Sequence, residues 1–194
     1  MNSRQDIRQA MRQQRRRLDP RKQHRHARRL AAHLARSAVF RKARHIAAYW
    51  AADGEPDLAP LMRLAAIRGK RLYLPVVAER GVMRFYPYHP EHSRLRRNRY
   101  GIPEPRLGGR PLPAHRLDLV LAPLVAFDDR GNRLGMGGGY YDRCFAFTRH
   151  RRRWQHPRLL GVAHAFQRVP ALAGEPWDVP LWGIITERGL RAFQ

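Results

Sequence analysis

The chain has 194 residues, and 39 Lys and Arg against 15 Asp and Glu leave a formal charge of +24. Hydrophobic residues make up 43% of it, enough for a packed core, so composition excludes general disorder, and the length suits a single domain over 1–194. One cysteine, Cys144, excludes an intramolecular disulfide and a Cys-based zinc site; with no run of about 18 apolar residues and no hydrophobic signal core, it leads to the expectation of a cytoplasmic protein without a membrane segment.

Along the chain, Ile7 and Met11 sit i, i+4 in an otherwise polar stretch up to Leu18, the pattern of a solvent-facing helix with a narrow apolar stripe. Asp19-Pro20 supplies an N-cap with proline at the first helical position. A second helix follows, with Ala27, Leu30, Ala31, Leu34 and Ala38 on one face. The apolar run His45 to Ala51 reads as a buried strand, the next turn runs ADGEPD, and Leu58, Leu61, Met62 and Ala65 mark a third helix ending near Gly69. Arg71 to Val77 reads as a second buried strand. Val82 to Tyr88 is an antiparallel or edge strand, since Pro87 would cost a ladder bond in a sheet interior.

From His89 to Arg116 the chain is rich in Pro, Gly and Arg, and an ordered loop is expected. Leu117 to Phe127 reads as a central strand broken at Pro123, followed by a polar turn, a glycine cluster and a helix starting at Tyr140. Arg158 to Phe166 and Trp182 to Glu187 read as late strands, with a loop from Pro170 to Pro180. Helices alternating with buried strands predict an α/β fold, a mostly parallel central sheet with helices on both faces and a helical N-terminal segment.

The charge is uneven. Residues 1–44 hold 15 Arg or Lys against Asp6 and Asp19, and further clusters sit at Arg94, Arg96, Arg97 and Arg99 and at Arg149, Arg151, Arg152, Arg153 and Arg158. Such a surplus attracts polyanions, yet no zinc-finger spacing, RNP-like strand or basic region with heptads accompanies it. Solvated arginine faces with some nonspecific nucleic-acid affinity at low salt account for it. The alternative is a basic RNA- or DNA-binding protein on an α/β scaffold. The histidines, among them His24, His26, His33 and His164, show no H-E-x-x-H or carboxylate grouping, which argues against zinc.

The glycine cluster Gly135-Met136-Gly137-Gly138-Gly139 lies between a buried strand and a helix start, where open α/β sheets bind ligands. Glycines let backbone N–H groups approach an anion without a Cβ in the way, and phosphate is the natural guest. The pattern is neither a P-loop nor a dinucleotide fingerprint. A plain glycine-rich turn is the bland reading, and Asp142 either complements the helix dipole or holds Mg²⁺ on bound phosphates.

Leu121-Ala122-Pro123 through Phe127-Asp128, then Gly131 to Arg143, resembles the signature of the 5-formyltetrahydrofolate cyclo-ligase (5,10-methenyltetrahydrofolate synthetase) family. Arg4-x-x-Ile7-Arg8 is similar to its amino-terminal K-x-x-L-R, with arginine in place of lysine. Further similar blocks run from Tyr49 to Glu55, over Gly101-Ile102-Pro103-Glu104-Pro105, and over Glu175-Pro176-Trp177-Asp178 with Ile184-Ile185-Thr186.

The resemblance implies a NagB/RpiA-like fold and ATP- and Mg²⁺-dependent cyclisation of 5-formyltetrahydrofolate by phosphoryl activation of the formyl oxygen, in a monomer. It implies that Arg4, Arg8 and the run Arg133, Leu134, Gly135, Met136, Gly137, Gly138, Gly139, Tyr140 and Tyr141 bind ATP. Arg133, Tyr140 and Asp142 would be catalytic, and Asp142 and Asp178 would ligate Mg²⁺. Trp50, Glu55 and Met136 to Tyr140 would contact the folate, and Gln167 matches a position near it, with a loop glutamine as the alternative. Cys144 reads as a helix residue and not a nucleophile. The residues alone also leave open an ATP-dependent ligase acting on another formamide or carboxylate.

Overall fold

Ser3 forms a capping box, accepting from the Asp6 amide while Asp6 accepts from the Ser3 amide, and α1 (Arg4–Arg16) follows. The computed structural model describes residues 3–78, 81–99, 101–106, 109–150 and 156–193; Arg151, Arg152 and Arg153 of the second basic cluster lie outside these. The side chain of Asp19 accepts from the Arg21 and Lys22 amides and starts α2 (Pro20–Arg36), which buries Ala27, Leu30, Ala31, Leu34 and Ala35. The Ser37 side chain then caps a separate short helix, α3 (Ala38–Lys42), so Ala38 leaves the α2 face to which periodicity assigns it.

The chain continues through β1 (His45–Ala47), α4 (Ala59–Ile67), β2 (Arg71–Val77), β3 (Met83–Tyr88), β4 (Leu95–Arg97), β5 (Pro103–Pro105), β6 (Leu119–Pro123), β7 (Ala126–Phe127), β8 (Arg133–Leu134), α5 (Tyr140–Phe145), β9 (Arg158–Val162), β10 (Gly183–Thr186) and β11 (Gly189–Ala192). Seven strands form one sheet in the order β11-β10-β9-β6-β1-β2-β3. Pairing from β2 through β10 is parallel, and antiparallel β3 and β11 close the two edges. Pro87 sits on the edge strand β3, as expected. Pro75 lies inside β2 but beyond Tyr73, the last residue that β1 pairs, so its missing N–H costs the sheet no bond on that side.

Alternate residues of the sheet feed two cores. Ile46, Leu72, Leu74, Leu119, Leu121, Leu160 and Ile185 pack under α2, α3 and α4, while Ala47, Tyr73, Val120, Ala122, Leu159 and Ile184 pack against Phe145 of α5 and the segments around Leu117 and Leu181. The architecture is therefore the α/β fold that the alternation of elements predicts, with one face covered by three helices and the other by α5 and irregular chain.

Several elements differ from expectation. The strand expected over 45–51 keeps only three ladder residues, because Tyr49 and Trp50 turn out of the sheet towards a crevice. The ordered loop expected over 89–116 carries the two-stranded β4–β5 pair, and the run 117–127 divides after Pro123 into β6 and β7, the latter pairing with β8. The strand expected over 158–166 stops at Val162, and a 3-10 turn occupies Ala165–Gln167. No helix among the described residues is long and apolar enough to cross a membrane.

Candidate active site

From β1 the chain builds the sheet outward through β2 and β3, then returns to the other side of β1 with β6, β9 and β10. Strand order reverses between β1 and β6, and in open α/β sheets a crevice forms at the carboxyl ends of the strands at such a point. A cavity of about 990 Å³ opens there, lined by Tyr49 and Trp50 after β1, Pro75 and Val77 in the second half of β2, Pro123 and Leu124 at the end of β6, and the glycine loop. That volume lies at the upper end of the range for small-ligand sites.

Helix α1 forms a wall of the cavity. Arg4, Arg8, Arg12 and Arg16 recur at i, i+4, so all four project from one face, and all four line the cavity. Ile7 and Met11 hold the helix down on Ala126, Leu134 and Leu172. Arg8 Nε donates to the Gly135 carbonyl at 2.9 Å and Arg4 Nη1 to the Ala173 carbonyl at 2.9 Å, which ties the start of the helix to two loops of the site.

The loop itself is open. Met136, Gly137 and Gly138 are exposed, and among the described residues the amides of 135–139 donate to no protein acceptor. Gly137 and Gly139 have φ of +104° and +61°, a region that side chains with a Cβ disfavour. At Gly138 a Cβ would stand 2.6 Å from the Tyr140 ring, so glycine there lets that ring lie against the loop. A run of uncommitted N–H groups beside Arg4 and Arg8 is an anion cradle.

Two carboxylates face this cradle. Asp142, in the first turn of α5, accepts at Oδ1 from Arg133 Nη2 at 2.6 Å and from the Val179 amide at 3.0 Å. Asp178 accepts at Oδ2 from the Glu175 amide at 3.0 Å and lies 3.5 Å from the Arg4 guanidinium. In each, the second oxygen has no protein hydrogen bond among the described residues. The Asp142–Val179 bond sets Asp142 against the residue that follows Asp178, both line the cavity, and carboxylate oxygens beside a phosphate cradle are the donor chemistry of Mg²⁺. Arg133 is buried, with Nη1 donating to the Val179 carbonyl and Nη2 to Asp142.

At the other end of the cavity stand Trp50 and Glu55. Trp50 lies edge-on to Tyr88, with ring centroids 6.2 Å apart, and keeps part of its surface in the cavity. Burial pushes the Glu55 carboxyl up to about 7, against the Ala52 amide, which it accepts at 3.1 Å, and the Arg15 guanidinium 3.8 Å away. Arg15 is fully buried, unlike any other arginine of α1. It donates to the Leu124 carbonyl at 3.1 Å and to Asp53 at 2.8 Å. Burial raises the Asp53 carboxyl, but hydrogen bonds from Arg12, Arg16 and Arg15 outweigh it and hold Asp53 below the usual carboxylate range. Asp53 and Gly54 both have positive φ, and a Cβ on Gly54 would meet the Arg15 carbonyl oxygen at 2.8 Å; this tight turn presses the Glu55 segment onto α1.

The structure thus gathers Arg4, Arg8, Trp50, Glu55, Arg133, Gly135 to Tyr141, Asp142 and Asp178 around one cavity. Leu134 is an exception to the expected set, buried with Ile7, Met11 and Leu172 and outside the lining. Gln167 stands behind the wall, donating to the carbonyls of Leu124 and Val125 and accepting from the His164 amide, so it fixes the backbone after β6 and does not line the cavity. Cys144 is packed near Met83 with its thiol pushed up to about 11 by burial, which makes it a poor nucleophile.

Sequence reasoning missed Arg12, Arg15, Arg16 and Asp53, although the four-residue spacing of Arg4, Arg8, Arg12 and Arg16 is a readable signal. It also missed Asn98, Ile102 and Glu104, which the β4–β5 pair brings to the cavity, and Trp177 on the rim.

The model of the 5-formyltetrahydrofolate cyclo-ligase family matches residues 1–187. The chain is 41% identical over 181 residues to the 5-formyltetrahydrofolate cyclo-ligase of Escherichia coli K12, covering 91% of this chain and 96% of that one. It is 37% identical over 187 residues to the Haemophilus influenzae protein of the same name, covering 94% and 96%. The solution structure of Aquifex aeolicus 5,10-methenyltetrahydrofolate synthetase superposes with a TM-score of 0.83 at 30% identity, over 98% of this chain and 93% of that one.

Proposed function

The chain belongs to the 5-formyltetrahydrofolate cyclo-ligase family, and from that premise we propose that its cavity joins ATP and 5-formyltetrahydrofolate so that the formyl oxygen meets the γ-phosphate in line. The activity is ATP-dependent closure of 5-formyltetrahydrofolate to 5,10-methenyltetrahydrofolate with release of ADP and phosphate. The alternative of a nucleic-acid-binding protein finds no support in the relatives or the fold. The observation that carries the reading is the run of open amides at 135–139 in one cavity with Trp50, Glu55, Asp142 and Asp178.

The N5 formamide carbon is a poor electrophile, and its oxygen is a poor leaving group. Attack of that oxygen on the γ-phosphorus expels ADP and leaves a phosphorylated imidate. The N10 amine then adds to the activated carbon, which closes the five-membered ring, and loses its proton; phosphate departs from that carbon to leave the methenyl bridge. No protein nucleophile is needed, so the protein supplies placement and charge.

In this reading the amides of 135–139 hold the triphosphate, with Arg4 and Arg8 reaching it from α1. Arg8 is already oriented by the Gly135 carbonyl. Arg133 keeps Asp142 in position rather than offering its guanidinium freely to phosphate, since both terminal nitrogens are engaged. Asp142 and Asp178 would hold Mg²⁺, which when bound neutralises charge on the phosphoryl oxygens. Trp50 gives the pterin an apolar face, and the Glu55 carboxylate accepts from its ring N–H groups.

The experiment mixes the purified chain with 5-formyltetrahydrofolate and MgATP and follows the near-ultraviolet absorbance of the methenyl product. An ATP-dependent rise is expected, and its absence refutes the reading. Formyl oxygen labelled with ¹⁸O should appear in inorganic phosphate; unlabelled phosphate would exclude phosphoryl transfer to that oxygen.

A further inference from the structure

Behind the cavity wall, three residues far apart in sequence converge: His26 on α2, His164 after β9 and Glu187 after β10. Their ligand atoms lie within 4.8 Å of one another. The two Nδ1 atoms are 3.0 Å apart, and His26 Nδ1 is 3.8 Å from Glu187 Oε2. Tetrahedral coordination with zinc–nitrogen and zinc–oxygen bonds of about 2.0–2.1 Å requires donor separations of roughly 3.3 Å. These two separations bracket that value, and the third, between His164 and Glu187, is within 4.8 Å.

The second nitrogen of His164 decides what the first can do. His164 Nε2 lies 3.1 Å from the Gly54 carbonyl oxygen, which accepts only from an N–H. The Nε2 atom therefore carries the proton, and Nδ1 presents a lone pair to its neighbour. A backbone carbonyl holding the far nitrogen in this way is how proteins orient a histidine ligand. Glu187 Oε2 is fixed in turn by the Ala165 amide at 2.9 Å.

The charge balance asks for a cation at the same point. The Glu187 side chain is 10% exposed, and among the described residues its ion-pair partner within 4.0 Å is His26 alone. A largely buried carboxylate is best met by a counter-charge. The buried Arg15 guanidinium, which acts electrostatically on His164, is committed to Asp53 and Leu124. A proton between the two Nδ1 atoms would satisfy them and leave Glu187 at 3.8 Å, beyond hydrogen-bond reach. One divalent ion satisfies all three donors.

We propose that His26, His164 and Glu187 form a structural site for Zn²⁺, with water as fourth ligand on the side where His26 is 18% exposed. Two imidazoles and one carboxylate suit zinc better than Mg²⁺, which prefers oxygen. The ion would pin α2 to the ends of β9 and β10 and, through the Gly54 carbonyl, steady the turn that carries Asp53 and Glu55. It takes no part in the cyclisation, so the test needs no turnover.

Chelator-treated full-length protein is titrated with ZnCl₂ by calorimetry, with excess Mg²⁺ present to fill oxygen-only sites. One equivalent should bind with a dissociation constant in the micromolar range or below. Co²⁺ in its place should give ligand-field absorption of tetrahedral type. At a hundredfold excess over the dissociation constant, zinc should raise the melting temperature by roughly 5–10 °C. His26→Gln and Glu187→Gln should each weaken binding by at least about 100-fold, beyond the loss typical of an outer-shell change. A His89→Ala/His92→Ala variant, which removes the exposed His89, Glu91 and His92 group, should bind as the parent does. Lack of stoichiometric binding, unchanged affinity in the His26 and Glu187 variants, or loss of binding in the His89/His92 variant would overturn the proposal.

Discussion

Replacing Arg15 with methionine removes a fully buried guanidinium while keeping most of its hydrocarbon volume. Two hydrogen bonds disappear: one to the Asp53 carboxylate at 2.8 Å and one to the Leu124 carbonyl at 3.1 Å. Hydrogen bonds involving a charged group contribute about 1.5–3 kcal/mol each. Asp53 retains Arg12 and Arg16, so no uncompensated carboxylate remains there, and the cost stays at the lower end, about 3 kcal/mol. Urea unfolding should show this as a shift in midpoint at unchanged slope. Arg15 also lowers the Glu55 carboxyl, so the variant should carry Glu55 above its parental value of about 7 and move the pH dependence of the folate KM upward. A stability loss under 1 kcal/mol together with an unmoved pH profile would refute the claim that Arg15 supports the folate end of the cavity.

Glu55 is held near 7 against an ordinary 4.5, so the folded state binds more protons than the unfolded state between those values, and stability falls as pH rises through that window, by at most about 3 kcal/mol. Glu55→Gln should remove this slope, measured by urea unfolding at about pH 5 and about pH 8, and should raise the folate KM; a slope equal to the parent's would contradict the assignment. Asp142→Asn preserves the shape and the Val179 contact but loses the charge, and kcat/KM should drop by about 10²–10³ with the circular dichroism unchanged; near-normal turnover would exclude a metal or charge role. Gly138→Ala places a methyl where the Tyr140 ring lies, and the KM for ATP should rise while the melting temperature moves by only a few degrees. Arg8→Ala should raise the KM for ATP about tenfold with little effect on the folate KM, read from initial rates at varied ATP.

What was legible in the sequence followed from strong local signals. The run 71–77 is β2 to the residue because Leu72 to Val77 is an unbroken apolar and aromatic stretch soon after a helix-ending glycine, and Asp19-Pro20 starts α2 because cap and proline act locally. The glycine loop and Asp142 were readable from composition and position, and Arg4, Arg8, Trp50, Glu55 and Asp178 through the family resemblance. The β4–β5 and β7–β8 pairs were not readable, because strands of two or three residues carry too short a period to register. Arg15 was hidden for a different reason: among so many arginines, the one whose partners are Asp53 and the Leu124 carbonyl is chosen by long-range packing. The His26, His164 and Glu187 group likewise has no sequence spacing, since three separate elements bring it together.

The most direct test of the account is an ¹⁵N-resolved map of backbone amides on adding a nonhydrolysable ATP analogue with Mg²⁺. The amides of 135–139 should show the largest shifts and new protection from exchange, together with the side-chain N–H signal of Arg8. Unchanged signals from 135–139, with shifts confined to the outward face of α1 or to another surface, would contradict it.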